Sequence, residues 1–301
     1  MRKYVIVTDT CSDLDKVDRE KYNIEYIKMH FAVNGEQYDA DLDWQNLSFE
    51  DFYGIMRKGN RIITAQINTA EFLMQFEKFL TEGFDVLYIG CSSALSGSVK
   101  ASLVARQELL QKYPDSKIIC VDSLNASMGL GILCIVASKL REEGKSIEEV
   151  ATWVEDNRRY VHQEATPEKL IWLKQAGRIS ASKAFIGGLL NVKPIIISDV
   201  NGANVSVEKV KGRTASFERI AQRFKERFIN YPHQMIYFVH GDCIEDVKDL
   251  AKEIEKVLPE EAKNIQINIR RLGPTIGASC GPGMIGLYFF GTEETYDGSK
   301  E

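Results

Sequence analysis

The chain has 301 residues, 44% hydrophobic and 27% charged, with a net charge of −5. That length allows two domains with sizeable cores, and the acidic balance argues against nucleic acid, which selects a basic face. Six cysteines without a C-x-x-C pair and four unclustered histidines read as reduced thiols, and argue against a metal centre. Met1-Arg2-Lys3 leads straight into a strand whose apolar run is too short for a signal-peptide core. No apolar run of about 18 residues follows, so the expectation is a cytoplasmic protein without stable membrane insertion.

In chain order, Tyr4 to Thr8 is a strand that runs into the polar turn Asp9-Thr10-Cys11-Ser12-Asp13-Leu14. Ile24 to Val33 is an extended run ending at Asn34-Gly35, a hairpin signal. Ser48 with Asp51 opens a helix. Asn68 with Glu71 forms a capping box ahead of the apolar face Phe72, Leu73, Phe76, Phe79 and Leu80. Asp85 to Cys91 is a buried strand, Val99 to Tyr113 an amphipathic helix, and Lys117 to Val121 another strand. The helix Ile132 to Glu143 closes at Gly144, and Ser146 with Glu149 caps the next. Strands alternating with helices predict an α/β fold, with a mostly parallel sheet and helices on both faces.

The pattern changes near residue 160. Thr166-Pro167 opens a helix, Asn201-Gly202 turns Lys193–Ser198 back into Val205–Val210, and Arg213 begins a helix. Gln234–Val239, Ile265–Arg271 and Met284–Phe290 are strands, the last following the glycine-rich stretch Leu272–Gly283. This reads as a first domain over residues 1–160, a smaller α+β domain over 161–292 and a polar tail, 293–301, expected to be disordered.

The segment Gly90-Cys91-Ser92-Ser93-Ala94-Leu95-Ser96-Gly97-Ser98 joins a strand to a helix at the edge of a parallel sheet where ligands bind. A helix N-terminus there favours an anion. One serine suffices for an N-cap; four in this turn point to a site for the head group of a small anionic ligand. Thr64-Ala65-Gln66-Ile67-Asn68 also follows an apolar stretch, Ile62-Ile63, and precedes a helix. It reads as a second hydroxyl-bearing strand-to-helix turn of the same sheet. Ser96 with His240 and an Asp such as Asp122 leaves a serine hydrolase as the alternative, although G-x-S-x-G is absent. Asp9 and Asp122, each ending a strand, read as turn caps. No phosphate-binding G-x-x-x-x-G-K-[ST] occurs, and no cofactor is expected.

Taken together, Thr8 to Leu14, Thr64-Ala65-Gln66, Ser92 to Ser98, Val121-Asp122-Ser123, Leu173 to Ser180, Leu190 to Ile195, Gly212-Arg213-Thr214 and Ile276 to Gly283 resemble the DegV family of bacterial fatty-acid-binding proteins. The resemblance covers nearly the whole chain in order. It implies a non-catalytic, two-domain protein with a long-chain fatty acid in the cleft between the domains. Residues 1–160 would hold the head group and 161–292 the acyl-chain pocket. It also implies delivery of the acid to a separate ATP-binding fatty acid kinase.

By that resemblance Thr64 and Ser96 hold the carboxylate, with Ser93, Arg178 and Ser279 also at the ligand and Arg213 engaging the kinase. Phe185, Ile186, Leu189 and Leu190 are expected along the tail. Two positions depart from the family's pattern: Ser279 stands where the family usually has His, and Thr64-Ala65-Gln66-Ile67-Asn68 replaces Thr-Ser-Gln-Pro-Ser. Both leave the two principal hydroxyls in place. Some 15 buried methylenes at roughly 0.8 kcal/mol each give about 12 kcal/mol gross, whereas each hydroxyl bond at the carboxylate nets about 1 kcal/mol. The tail therefore binds and the hydroxyls orient.

Overall fold

The structure, a computed structural model, describes residues 2–179 and 191–298. Its β-branched runs form a parallel sheet: β1 (Tyr4–Asp9), β2 (Ile24–Ile27), β6 (Asp85–Gly90) and β7 (Ile118–Asp122), in the order β2-β1-β6-β7. Every residue of β6 is buried, as a parallel strand covered on both faces requires. Helices α3 (Thr69–Thr81) and α4 (Ser98–Lys112) pack together, and α5 (Met128–Glu142) packs with α1 (Lys16–Tyr22) and α6 (Ile147–Asn157). The capping boxes Asn68–Glu71 and Ser146–Glu149 start α3 and α6, and Ser48 caps α2 (Phe49–Arg57). Chain direction diverges between β1 and β6: one crossover leads to β2 on one side and the other to β7. Their following turns therefore flank a crevice at the switch point.

The long extended run Ile24–Val33 is two strands, because β3 (His30–Val33) leaves the parallel sheet to pair with β4 (Glu36–Asp39) and β5 (Ile63–Ala65). Asn34 and Gly35, with φ of 52° and 87°, make the β3–β4 turn. Thr64 is thus in a strand, opposite Phe31, and belongs to a separate antiparallel sheet rather than to a turn of the parallel one. The segment still joins a strand to a helix, β5 to α3, as its local sequence reads; only the sheet that β5 belongs to differs.

A second, six-stranded sheet contains β8 (Val161–Thr166), β9 (Val192–Ser198), β10 (Asn204–Lys211), β11 (Ile236–His240), β12 (Ile267–Arg271) and β13 (Ile285–Phe290). Its order is β10-β9-β8-β13-β11-β12, antiparallel except for β11 with β12. One face is sealed by α8 (Arg213–Arg227) and α9 (Ile244–Val257) through Phe217, Phe224, Phe238, Leu250 and Phe289. The other packs against α5, which also contacts the first sheet and so lies between the two.

The glycine-rich stretch, to which the sequence pattern assigns no element, contains a helix, α10 (Pro274–Cys280). Pro274 fits its first turn, and Gly277 leaves room for Tyr53, whose hydroxyl would lie 2.3 Å from an added Cβ. The stretch after Thr292 is also not a free tail: the Glu294 carboxylate takes Arg227 at 2.8 Å, and Val200 N–H donates to the Tyr296 carbonyl at 3.0 Å.

Candidate functional site

Between the two sheets lies a cavity of about 360 Å³, within the about 300–1,000 Å³ span of small-ligand sites. The turns after β1 and β6 bring Cys11 and Cys91 to its wall, and β5 brings Thr64, with Gln66 just after it. α10 adds Thr275, Ile276 and Ser279, and the second sheet adds Gln163, Ile196, Val239, Gly286 and Tyr288. Thr64, Ser96, Arg178 and Ser279 therefore share one cavity although they come from four separate segments. The serine turn and β5 meet directly: the Gln66 carboxamide lies where a Cβ on Gly97 would be, 2.2 Å from its Oε1.

The serines divide their work. Ser92 is buried and donates to the Gly202 carbonyl at 2.8 Å, docking the β9–β10 hairpin onto the first sheet. Ser93 is exposed and lies outside the cavity wall; its N–H is held by Asp122 at 3.2 Å. Ser96 reaches the cavity, with Ser98 Oγ 3.0 Å from its own Oγ. Ser96 Oγ also accepts the N–H of Ser98, the first residue of α4, at 3.3 Å, while the N-cap position itself, Gly97, has no side-chain bond.

Arg178 follows α7 (Ile171–Ala176) through Gly177, at φ 67°, and its Nε donates to the Leu95 carbonyl at 3.3 Å in the serine turn. It pairs with carbonyls rather than a surface acid and is the one formally charged group among the described residues of the wall. The thiols elsewhere in the wall are held above their usual range: burial pushes Cys280 up to about 12, and the Cys91 thiol raises that of Cys11. A single cation among hydroxyls, an amide and an otherwise largely apolar wall suits an anionic head on an apolar body.

Two buried acids stiffen the floor. Asp9 accepts from the Cys11 N–H at 2.9 Å, the Cys91 N–H at 3.0 Å and Tyr88 Oη at 2.7 Å, tying the two turns together. Asp13 accepts from Ser127 Oγ at 2.5 Å and from the Gly273 N–H at 2.9 Å, joining the first sheet to the start of α10. Burial raises both carboxyls, Asp13 to about 7.

A family model described as an uncharacterised protein, DegV family, matches residues 3–292. The chain belongs to the DegV family. A DegV domain-containing protein of Clostridium perfringens is 36% identical over 291 residues, covering 97% of this chain and 98% of its own. The structure of a fatty-acid-binding DegV family protein from Thermus thermophilus superposes with a TM-score of 0.83 at 27% identity. It covers 97% of this chain and 100% of that one. A DegV fatty acid binding protein from Bacillus subtilis superposes at 0.79 with 24% identity, over 96% of this chain and 100% of its own.

In this DegV-family chain Arg213 lies away from the cavity wall and acts as a strap. Its guanidinium donates to Asp246 at 2.9 Å, to the Thr166 carbonyl at 3.2 Å and to the Gly283 carbonyl at 2.7 Å. The hydrolase constellation is not assembled. His240 packs its ring against Phe49 and receives the Cys243 N–H at 3.3 Å, Asp122 holds the N–H groups of Ser93 and Leu124, and Ser96 has Ser98 as its hydroxyl neighbour. Phe185, Ile186, Leu189 and Leu190 lie outside the described residues. Sequence reasoning passed over Ser127, Gln163, Asn204, Thr275 and Tyr288 as cavity residues. Strand alternation placed Gln163 and Tyr288 on one face of the second sheet, the only available signal for them. No described helix is long and apolar enough to cross a membrane.

Proposed function

We propose that this chain holds a long-chain fatty acid, its carboxylate on Thr64 and Ser96 with Arg178 as counter-charge and Ser279 alongside, and presents it to a separate ATP-dependent fatty acid kinase. The observation that carries the reading is the convergence of those four residues on one cavity whose remaining wall includes Met29, Leu95, Leu173, Ile196, Val239 and Met284. The relatives from Thermus thermophilus and Bacillus subtilis described as binding fatty acids support the ligand class. In this reading the chain itself acts without catalysis: the Cys91 thiol raises that of Cys11, burial pushes up that of Cys280, and the described wall holds no histidine. In this reading residues 1–160 form the head-group domain and 161–292 the chain-pocket domain, with Arg213 setting the surface that meets the kinase.

Denaturing extraction of the purified protein, followed by mass spectrometry, tests the ligand. A long-chain fatty acid, carried from the host or loaded from added octadecanoate, is the expected product. Recovery of a sugar phosphate, or failure to load any fatty acid, would overturn the reading.

A further inference from the structure

Next to the main cavity lies a second, smaller one of about 40 Å³, and the two share Thr64, Arg178 and Ser279 in their walls. Arg61, Trp172 and Gln175 supply the rest of its polar and aromatic wall. The end of α7 orients both cations. Arg61 Nη2 donates to the Gln175 carbonyl at 2.6 Å, and Arg178 Nη1 donates to the carbonyl of the next residue, Ala176. Two guanidiniums are thus held on consecutive carbonyls, and among the described residues neither has a carboxylate partner. Elsewhere Arg19, Arg57, Arg219 and Arg223 each hold a carboxylate. Thr64 and Ser279 are half-buried, and among the described residues neither side chain makes a hydrogen bond.

Two cations brought together without a counter-charge repel, and an anion between them removes that cost. A carboxylate on Thr64 and Ser96 supplies one negative charge to Arg178 and leaves Arg61 unmatched. A water takes roughly 10–15 Å³ of such space, so the second cavity holds about three oxygen-sized atoms, as many as a phosphoryl group presents. Guanidinium forks match phosphoryl oxygens in geometry as well as charge, and the two hydroxyls add donors. We infer that the second cavity is a subsite for a phosphoryl group beside the carboxyl end of the ligand, held by Arg61 and Arg178. The fatty-acid reading above fixes only where the carboxyl end lies; the subsite itself stands on the paired arginines.

The test uses the whole chain stripped of lipid. One arm sets octadecanoate in equilibrium competition against 2-oxononadecylphosphonate, which carries a phosphonate one carbon beyond an octadecanoyl group. The other arm adds inorganic phosphate alone and follows its phosphorus NMR line width. The phosphonate should bind about ten-fold tighter than octadecanoate, the worth of one charge-assisted bond. In Arg61→Gln that preference should fall to about one-fold, with octadecanoate within about two-fold of the parent. Arg61 is exposed, and thermal unfolding checks that the variant keeps its fold. Arg61→Lys, which keeps the charge but not the fork, should retain part of the preference. Line broadening by phosphate that is lost in Arg61→Gln, with no preference for the phosphonate, would support the subsite and make the free ion its occupant. No preference and no broadening would overturn the inference and leave the fatty-acid reading standing. A preference or broadening that survives in Arg61→Gln would overturn it too. If neither lipid binds, the fatty-acid reading falls, and the phosphate arm alone decides the subsite.

Discussion

The six-stranded sheet is built from one set of strands but has a face filled throughout and one that α5 covers only in part, leaving it hollow at the cavity. On the filled face Ile195, Phe238, Leu287 and Phe289 meet Phe217, Ile220 and Phe224 of α8 and Leu250 and Ile254 of α9, all buried. On the hollow face Gly286 sits opposite Ala165 and next to Val239, and Ala165 sits opposite Ile196. Alternation assigns each residue its face; the size of the residue decides whether the layer closes. Two small residues in register leave the space that Phe and Leu occupy one residue away.

Buried acids follow the same division. Glu164, on the filled side, is paired with Arg223 at 2.6 Å; burial raises its carboxyl while Arg223 opposes the rise. Asp13, beside the cavity, has no cation among the described residues, only Ser127 and the Gly273 N–H. A paired buried ion serves packing, whereas a carboxyl poised near neutrality ties the cavity floor to α10.

The largest break in the comparison is Phe289→Ala. Its ring lies 4.7 Å from that of Phe224 and is fully buried. Truncation should cost roughly 3–5 kcal/mol in denaturant unfolding, with fatty-acid affinity unchanged, since the cavity lies behind the other face. A matching loss of affinity would show that the two faces are not independent.

Next comes Asp13→Asn, read as stability against pH. The folded carboxyl sits at about 7, above its ordinary 3.8. Its contribution is therefore fully present below pH 4 and is lost as pH rises through about 7. At about 1.4 kcal/mol per pH unit, the advantage of the parent over the variant should shrink by about 4 kcal/mol across that window. A difference that stays flat with pH would mean the carboxyl is ionised throughout.

These contrasts also mark what the chain revealed before its structure. Caps and turns were readable because each is a short-range signal: Asn68 with Glu71, Ser146 with Glu149, and Asn34-Gly35 all stand as read. Residues Thr64 and Ser96 were picked for their hydroxyls, and they do line one cavity, but the reason given for Thr64 was wrong because β5 pairs with β3. The helix α10 was hidden because its glycines look like loop; Gly277 is there for close packing on Tyr53. The cavity residues Gln163, Asn204 and Tyr288 were illegible because they are brought together only by sheet order.

Filling the hollow face is the third test. In Gly286→Val the new Cβ would lie 2.9 Å from the Tyr288 ring and 3.1 Å from Val239 Cγ2, so the ring must move. Overpacking should cost about 1–3 kcal/mol in unfolding. The displaced ring should shorten the longest fatty acid recovered from the protein, as mass spectrometry would show. An unchanged chain-length profile would put the tail elsewhere.

The smallest effect belongs to the head group. Thr64 and Ser96 are both half-buried, and the Ser96 hydroxyl has Ser98 beside it. Thr64→Ala with Ser96→Ala should therefore leave unfolding within about 0.5 kcal/mol of the parent. Each lost bond to a carboxylate is worth about 1 kcal/mol or somewhat more, so octadecanoate should weaken about ten- to thirty-fold. Octadecan-1-ol, which has no carboxylate, should weaken less, because its affinity resides almost wholly in the tail. An equal loss for acid and alcohol would make the two hydroxyls part of the wall rather than the grip, and would move the carboxylate to Arg178 and Ser279 alone.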